Sequence, residues 1–372
     1  MKLVPQSAPY IRKNVSVKRM MLDVIIALLP VSIFAMIVNG WDGIYVFLIS
    51  ILTMLFVEII AHGIIKWPKG MKIKELFSKE GFIKIKSTYT INNILAPLIS
   101  ALIYALIMPA GCSGYVVFLG ALFGILIGKM VFGGLGSNIF NPAAVGRIFV
   151  GICFGTYLND AYAKADVFAG ATPLGFTKTQ EGLVLNAVGN YSLLDLFLGN
   201  VPGCMGEVST ICILIGACYL FIRKSADIRA TLSYLLSFGV VMMAASITES
   251  IVASGNIMHM WTYQMLSGGL LFGAVFMVTD PVTSGTTKFS RIAFGITAGL
   301  ITALIRILGA YPEGVAFSIL IANMLAPCYD YLNRGKPNKI TWKQMIFLGS
   351  MILVIGLIIV INVMYIGGVF NA

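Results

Sequence analysis

Long apolar runs separated by short polar or glycine-rich breaks recur along almost the whole chain. They fall at 22–38, 44–65, 91–108, 115–132, 143–158, 208–222, 231–253, 264–279, 292–308, 315–332 and 345–366. A helix needs about 20 residues to cross the ~30 Å hydrocarbon core of a bilayer, so the pattern predicts an all-α polytopic membrane protein. The rhythm fails in two places. Gly133-Gly134 through Pro142 interrupts the fourth and fifth runs, which predicts a re-entrant or broken element whose polar backbone must be satisfied by protein or water. Residues 159–207 form neither a span nor a charged connector. A loop of that size is usually functional or disordered, and its apolar residues Leu183, Val184, Leu185, Leu193, Leu194, Leu196 and Phe197 predict an ordered lid.

Five spans precede that loop and five follow it before the basic stretch from Arg334 to Lys343. An odd number per half requires the halves to be related as an inverted repeat. Asn141-Pro142-Ala143 in the first half is faintly echoed by Asn323-Met324-Leu325-Ala326-Pro327 in the second. The expected organisation is a tail over 1–21, a five-helix half over 22–158, an outer-face loop over 159–207, a second five-helix half over 208–332, and a basic inner loop with one extra C-terminal helix over 333–372.

Composition excludes a soluble fold. Of the residues, 58% are hydrophobic and 11% charged, with a mean hydropathy of +0.92, whereas soluble domains carry about 25% charged residues. The tail has five basic residues, but it is too long for a signal peptide's charged region and no small-residue cleavage site follows Val38. With the N-terminus inside, the inner segments hold five, seven, three, two and four Lys and Arg, 21 of the 26 in all. Only Lys164 and Lys178 fall outside, and Lys129, Arg147 and Arg306 lie within or at the edges of spans. The positive-inside rule therefore predicts an inner tail, an outer 159–207 loop and an outer C-terminus. The net charge of +11 follows from this retention and from contact with anionic lipid. No nucleic-acid partner is expected, since no basic stripe with interleaved aromatics occurs.

Candidate chemistry is sparse. The six cysteines contain no C-x-x-C pair and read as small apolar packing residues; zinc or a self-contained iron–sulfur cluster is not expected, which leaves open a cluster shared with another subunit. Gly133-Gly134-Leu135-Gly136-Ser137-Asn138-Ile139-Phe140-Asn141-Pro142-Ala143 reads two ways. It is either a ligand cradle, with the following helix start open to an anion and Asn138 and Asn141 reading an amide or ring edge, or a helix-packing turn. In Thr279-Asp280-Pro281-Val282-Thr283-Ser284, Pro281 pushes Asp280 out of helical geometry. Its carboxylate can then converge with the hydroxyls of Thr279, Thr283 and Ser284 on Na⁺ or a flavin ring, or cap the next helix. Glu58 and Glu249 are ionisable groups inside spans. Glu58, near the inner end with His62 one turn on, reads as a snorkelling carboxylate, and Arg306 is a candidate partner for Glu249.

The segment Asp166-Val167-Phe168-Ala169-Gly170-Ala171-Thr172-Pro173 resembles the flavinylation signal D-x-x-x-G-A-[ST] of the RnfD and NqrB proteins, the membrane subunits of Rnf complexes and of Na⁺-translocating NADH:quinone reductases. The glycine-asparagine segment before it and Thr-Asp-Pro-Val-Thr-Ser after it stand in that family's order, and the resemblance runs from about Lys2 to Arg334, with chain length favouring the Rnf branch. It implies FMN joined through its phosphate to the Thr172 hydroxyl by an FMN transferase, with Asp166, Gly170 and Ala171 as the recognition residues. It also implies a bacterial cytoplasmic (inner) membrane location and partners in the other membrane and peripheral Rnf subunits. The activity implied is that of a non-autonomous part of a translocase that couples electron transfer between ferredoxin and NAD⁺ to movement of Na⁺ or H⁺. A second, non-covalent flavin near Asn138 or Asp280 stays open. Against it stands a non-redox channel or transporter of the urea or ammonium type, whose five-plus-five architecture gives the same hydropathy. A water channel needs two facing Asn-Pro-Ala triplets, and only one is intact.

Overall fold

The first two expected spans form one 49-residue stretch, α1 (Val17–Ile65), in a computed structural model that describes residues 16–65, 89–163, 192–199, 201, 203–207, 209–253, 256–308, 314–332 and 340–366. Gly40 breaks it into two arms, at φ 55° and ψ −135°, a backbone conformation that a Cβ would forbid. The chain continues through α2 (Ile91–Leu106), α3 (Gly114–Gly128), α4 (Pro142–Cys153), α5 (Gly155–Ala163), α6 (Leu193–Leu198), α7 (Thr210–Arg223), α8 (Ile228–Ala253), α9 (Ile257–Leu266), α10 (Leu270–Phe272), α11 (Lys288–Leu308), α12 (Val315–Leu332) and α13 (Trp342–Ile366). No strand occurs among the described residues.

Two expected spans are not single helices. The run over 143–158 divides at Phe154 into α4 and α5. The run over 264–279 is broken more deeply: α9 stops at Leu266, Gly268 and Gly269 take positive φ, and α10 leads into a π-helical turn, Gly273–Met277. The Ser-Gly-Gly punctuation was present in the sequence but hidden by the apolar residues around it. Six described stretches are long and apolar enough to cross a membrane: α1, Gly114–Phe132, Ile228–Thr248, α11, α12 and Gln344–Ile361. Helices α2, α4 and α7 are apolar but shorter.

The helices gather in two groups. In one, α1 packs on α2, α3 and α7, and α3 on α4; in the other, α8 packs on α11 and α13, and α11 on α12. Contact between α4 and α12 joins them. The exterior is apolar, with Ile37, Leu52, Phe56, Leu236 and Leu353 well exposed, as expected where lipid rather than water is the neighbour. The interior carries polar side chains that tie helices together. The Tyr234 hydroxyl and Thr302 hydroxyl are 3.0 Å apart, Thr302 and Ser318 2.6 Å, and Thr297 and Tyr329 2.6 Å. At one end of α1, Asp23 accepts from the Tyr219 and Ser225 hydroxyls and from the Arg223 guanidinium, fixing the tight turn after α7.

One close helix approach follows a small-residue pattern. Gly295 and Gly299 face α8 from α11, and a Cβ at Gly299 would lie 2.5 Å from the Tyr234 carbonyl oxygen. Such i, i+4 glycines let two backbones come together where no hydrophobic effect drives helices into contact. Gly299→Ala should therefore destabilise the protein by about 1–3 kcal/mol, the usual cost of overpacking, seen as a lower thermal midpoint in detergent. Gly349→Ala on α13, where a Cβ meets nothing within 4 Å, should not lower it. Equal midpoints for the two variants would contradict the close packing of α8 on α11.

Candidate functional site

Helix α3 ends at a buried charge. Lys129 is its C-cap, donating its backbone N–H to the Ile125 carbonyl, and its ammonium reaches both Glu58 oxygens on α1, at 2.7 and 2.5 Å. Each residue is 2% exposed. A pair this far from water is not a source of net stability, but removing one partner strands the other charge at roughly 3–5 kcal/mol. Glu58 is thus not the snorkelling carboxylate expected from its place near a helix end: it points inward, where the ammonium compensates its desolvation. Tyr89 stands beside it, and burial together with the Glu58 charge pushes that phenol up to about 12. His62 meets the Tyr89 ring edge-on at 5.2 Å.

Beyond Lys129 the chain turns through three glycines of positive φ: Gly133 at 109°, Gly134 at 92° and Gly136 at 83°. The turn is bonded internally, Gly133 N–H to the Met130 carbonyl, Gly134 N–H to Lys129 and Ser137 N–H to Gly134. Open space surrounds Gly136. Each asparagine side chain has one atom bonded to backbone. Asn138 donates to the Phe140 carbonyl at 3.1 Å, and Asn141 caps α4, its side-chain oxygen accepting from the N–H groups of Ala143 and Ala144. Pro142 sits at the first helical position, where its missing N–H costs nothing. The helix start expected to bind an anion is closed in this way by its own cap.

A single amide joins this segment to the second group of helices. Asn323 of α12, 1% exposed, accepts from the Asn141 backbone N–H at 3.2 Å and donates to the Thr283 carbonyl at 3.1 Å. The two asparagine motifs that echo each other in the sequence therefore meet. The carboxylate of Asp280 accepts from the Val282 N–H and the Thr283 hydroxyl, both at 3.0 Å. Burial holds that carboxyl above the usual carboxylate range, opposed by these two bonds and by the charge of Lys129. Of the hydroxyls expected around Asp280, Thr283 alone is bonded to it among the described contacts; Thr279 instead donates to the Val275 carbonyl in the π-helical turn. Asp280 shapes its own turn and does not cap α11, which begins eight residues later at Lys288.

The other irregular segment is held by Arg306. Its guanidinium, 3% exposed, donates to the carbonyls of Gln264, Ser267 and Gly268 at 2.7, 2.9 and 3.1 Å and lies 4.9 Å from the Phe238 ring centroid. A cation placed there offsets the negative end of α9. The expected partner Glu249 has its side chain outside the described residues. A Thr231 hydroxyl completes the repair by donating to the Ala274 carbonyl within the π-helical turn.

The structure thus brings Glu58, Lys129, Asn138, Asn141, Asn323, Asp280 and Thr283 to one end of the bundle. The Lys129–Glu58 pair escaped sequence reasoning, though the rule that intramembrane charges pair with one another would have suggested it. The expected attachment segment, including Asp166, Gly170, Ala171 and Thr172, lies outside the described residues. Among the described residues no group of three or more His, Cys, Asp or Glu could hold a metal ion.

Comparison with known proteins adds the following. The family model for the NQR2, RnfD, RnfE family matches residues 4–339. The chain is 31% identical over 332 residues to the D subunit of the proton-translocating ferredoxin:NAD(+) oxidoreductase complex of Clostridium ljungdahlii, covering 87% of this chain and 92% of that one. It is 30% identical over 349 residues to the D subunit of the ion-translocating oxidoreductase complex of Stutzerimonas stutzeri, covering 86% and 92%. Against the B subunit of the Na(+)-translocating NADH-quinone reductase of Chromohalobacter salexigens the identity is 39% over 239 residues, 63% of this chain and 57% of that protein. That match therefore spans somewhat over half the length of this reductase subunit.

The bridge between the two groups is open to direct test. Asn323→Ala leaves the Asn141 N–H and the Thr283 carbonyl without partners, at roughly 1–3 kcal/mol for each buried group. Asn323→Asp keeps an acceptor for the first but loses the donor to the second and buries an unpaired carboxylate, so it too should be destabilising. Thermal midpoints of both variants are expected below that of the wild type; an unshifted Asn323→Ala protein would show that the bridge carries no stability.

Proposed function

The chain belongs to the NQR2, RnfD, RnfE family, and from that membership we propose that it is the flavin-carrying membrane subunit of an Rnf-type ion-translocating oxidoreductase. The observation that carries the reading is Asp166-x-x-x-Gly170-Ala171-Thr172, which lies within the residues matched by the family. Thr172 is the proposed acceptor of FMN through a phosphoester. Gly170 and Ala171 leave room around the hydroxyl, and Pro173 fixes the chain just after it. The two relatives matched over most of their length are D subunits of ion-translocating complexes, which supports a role as one non-autonomous part of such a complex, with other Rnf subunits and an FMN transferase as partners.

Electrons would pass between ferredoxin and NAD⁺ with coupled movement of Na⁺ or H⁺. FMN supplies single-electron exchange when bound, and the protein sets its place and electrostatics. The distribution of Lys and Arg supports a multi-pass chain in the bacterial inner membrane with its N-terminus inside and the Thr172 segment outside. The meeting of Asn141 with Asn323 supports a ten-span core of two inverted five-helix halves, to which α13 is added. A second, non-covalent flavin would be met by the open Gly133–Gly136 turn and the Asp280–Thr283 turn, with Asn138 and Asn141 each keeping one side-chain atom beyond the one bonded to backbone.

In-gel ultraviolet fluorescence of the denatured protein, co-produced with an FMN transferase, tests the reading. A fluorescent band is expected for the wild type and its loss in Thr172→Ala. A dark wild-type band alongside an active transferase would overturn the assignment.

A further inference from the structure

Five aromatic rings join α3, α4 and α5 into one cluster. Phe123 and Phe149 stack, with centroids 4.2 Å apart and planes 12° from parallel. Phe149 meets Phe154 at 6.2 Å, and beyond Phe154 stand Tyr115 at 6.2 Å and Tyr157 at 6.3 Å. The two tyrosines close the cluster on each other, 6.0 Å apart with 83° between their planes. These T-shaped contacts lie in the range at which rings attract. The division of the fifth apolar run builds the arrangement: Phe154 closes α4 with its N–H on the Val150 carbonyl, and its own carbonyl accepts from the Leu158 N–H at the start of α5. Leu158 and Ala161 are buried. A Cβ at Gly111 would lie 2.6 Å from the Ala161 carbonyl oxygen, so α5 is seated closely on the turn before α3, and Tyr157 is held beside Tyr115.

The cluster is fixed at one end and open at the other. Phe123, Phe149 and Phe154 are half-buried, whereas Tyr115 is 49% and Tyr157 51% exposed. Tyr115 is the second residue of α3, at the opposite end from Lys129, and α5 follows the end of α4 opposite the Asn141 cap. The open rings therefore stand on the side away from Lys129 and Asn141. Tyrosines at such a level suit a bilayer interface, but the order of the chain places a second partner beside them. Helix α5 ends at Ala163, and Thr172 follows nine residues later, against 20 residues from Thr172 to Ser192 at the start of α6. Nine residues span at most about 30 Å, and the local concentration of a tethered group falls as its tether lengthens. A group carried on Thr172 is thus presented to α5 in preference to α6. The isoalloxazine of a flavin is flat, aromatic and electron-poor. Two electron-rich phenol rings set almost perpendicular offer it a face to stack on and a wall for its edge, which suits it in shape and in electronics.

We propose that Tyr115 and Tyr157, backed by Phe154, are the docking platform for the isoalloxazine ring of the flavin carried on Thr172. The platform rests on the reading of Thr172 as the acceptor. It assigns the exposed tyrosines a role beyond membrane anchoring: the phosphoester fixes one end of the flavin, and the two rings fix the other.

Time-resolved flavin fluorescence tests the platform without electron transfer through the complex. The sample is the full chain in lipid nanodiscs, co-produced with an FMN transferase and corrected for the signal of Thr172→Ala. Contact with a phenol ring quenches an excited flavin, so docked flavin decays fast and free flavin slowly. The wild type should decay mainly in the fast phase. Tyr157→Leu should raise the slow-to-fast amplitude ratio by roughly 2–10-fold, the worth of one aromatic contact, and Tyr115→Leu combined with it should raise the ratio further. Tyr157→Trp restores a stacking and quenching ring and should return the decay to fast. Should the double variant fail to fold, each single variant carries the same expectation. The in-gel band of the denatured proteins reports flavin loading separately and should be equally bright in all but Thr172→Ala. A dark wild-type band overturns the Thr172 reading and the platform with it. A bright band with the ratio unmoved in the tyrosine variants overturns the platform alone and leaves the tyrosines as an interfacial belt. A ratio that rises in Trp41→Leu, at a ring 84% exposed just after Gly40, while the tyrosine variants decay as the wild type, overturns it as well.

Discussion

A helix broken inside a bilayer has to give its backbone groups to other protein, because lipid offers them nothing. This chain breaks its helices at Lys129 to Asn141 and at Ser267 to Met277, and a few polar side chains take up part of the freed backbone. Asn141 takes two N–H groups of its own helix, Asn323 serves one N–H and one carbonyl from opposite groups of helices, and Arg306 takes three carbonyls. These are the residues that permit irregular backbone at depth. Around them the remaining interior can be built from close helix contacts such as Gly299 on α8.

The two buried cations show how similar placements lead to different chemistry. Lys129 closes α3 and Arg306 lies in the last turn of α11, so each stands beside an irregular double-glycine segment. Arg306 meets carbonyl oxygens with a planar fork that keeps its charge, and its contacts are geometric and permanent. Lys129 meets a carboxylate with a compact ammonium on a flexible stem. That bond depends on the charge of its partner, whereas the Arg306 contacts are to neutral carbonyl groups.

Much of this was legible in the sequence. Apolar runs of helical length gave the all-helical class, Gly133 through Pro142 announced the first break, and the paired Asn-containing motifs anticipated a contact that the structure makes. What was not legible had a common physical cause. Hydropathy averages over a window, so Ser267-Gly268-Gly269 disappeared within the apolar residues flanking it, and Glu58 and Lys129 could be read only singly. Pairing across 71 positions is a property of the packed bundle. The same applies to the asparagines: the sequence left the segment open as a ligand cradle or a packing turn, and only three-dimensional placement shows one atom of each amide bonded to backbone.

The bond between Asn141 and Asn323 spans 182 positions of the chain, and that span is also an interval of time. At about 5–20 residues per second of synthesis, the Asn141 N–H waits roughly 10–40 s for its acceptor to be made. During that interval the broken segment is unfinished, whereas the Asn141 cap and the Lys129–Glu58 pair can form at once, since both lie in the part already synthesised. The order of biogenesis is thus written into the contacts: local and early bonds keep the open segment tolerable until α12 arrives to close it.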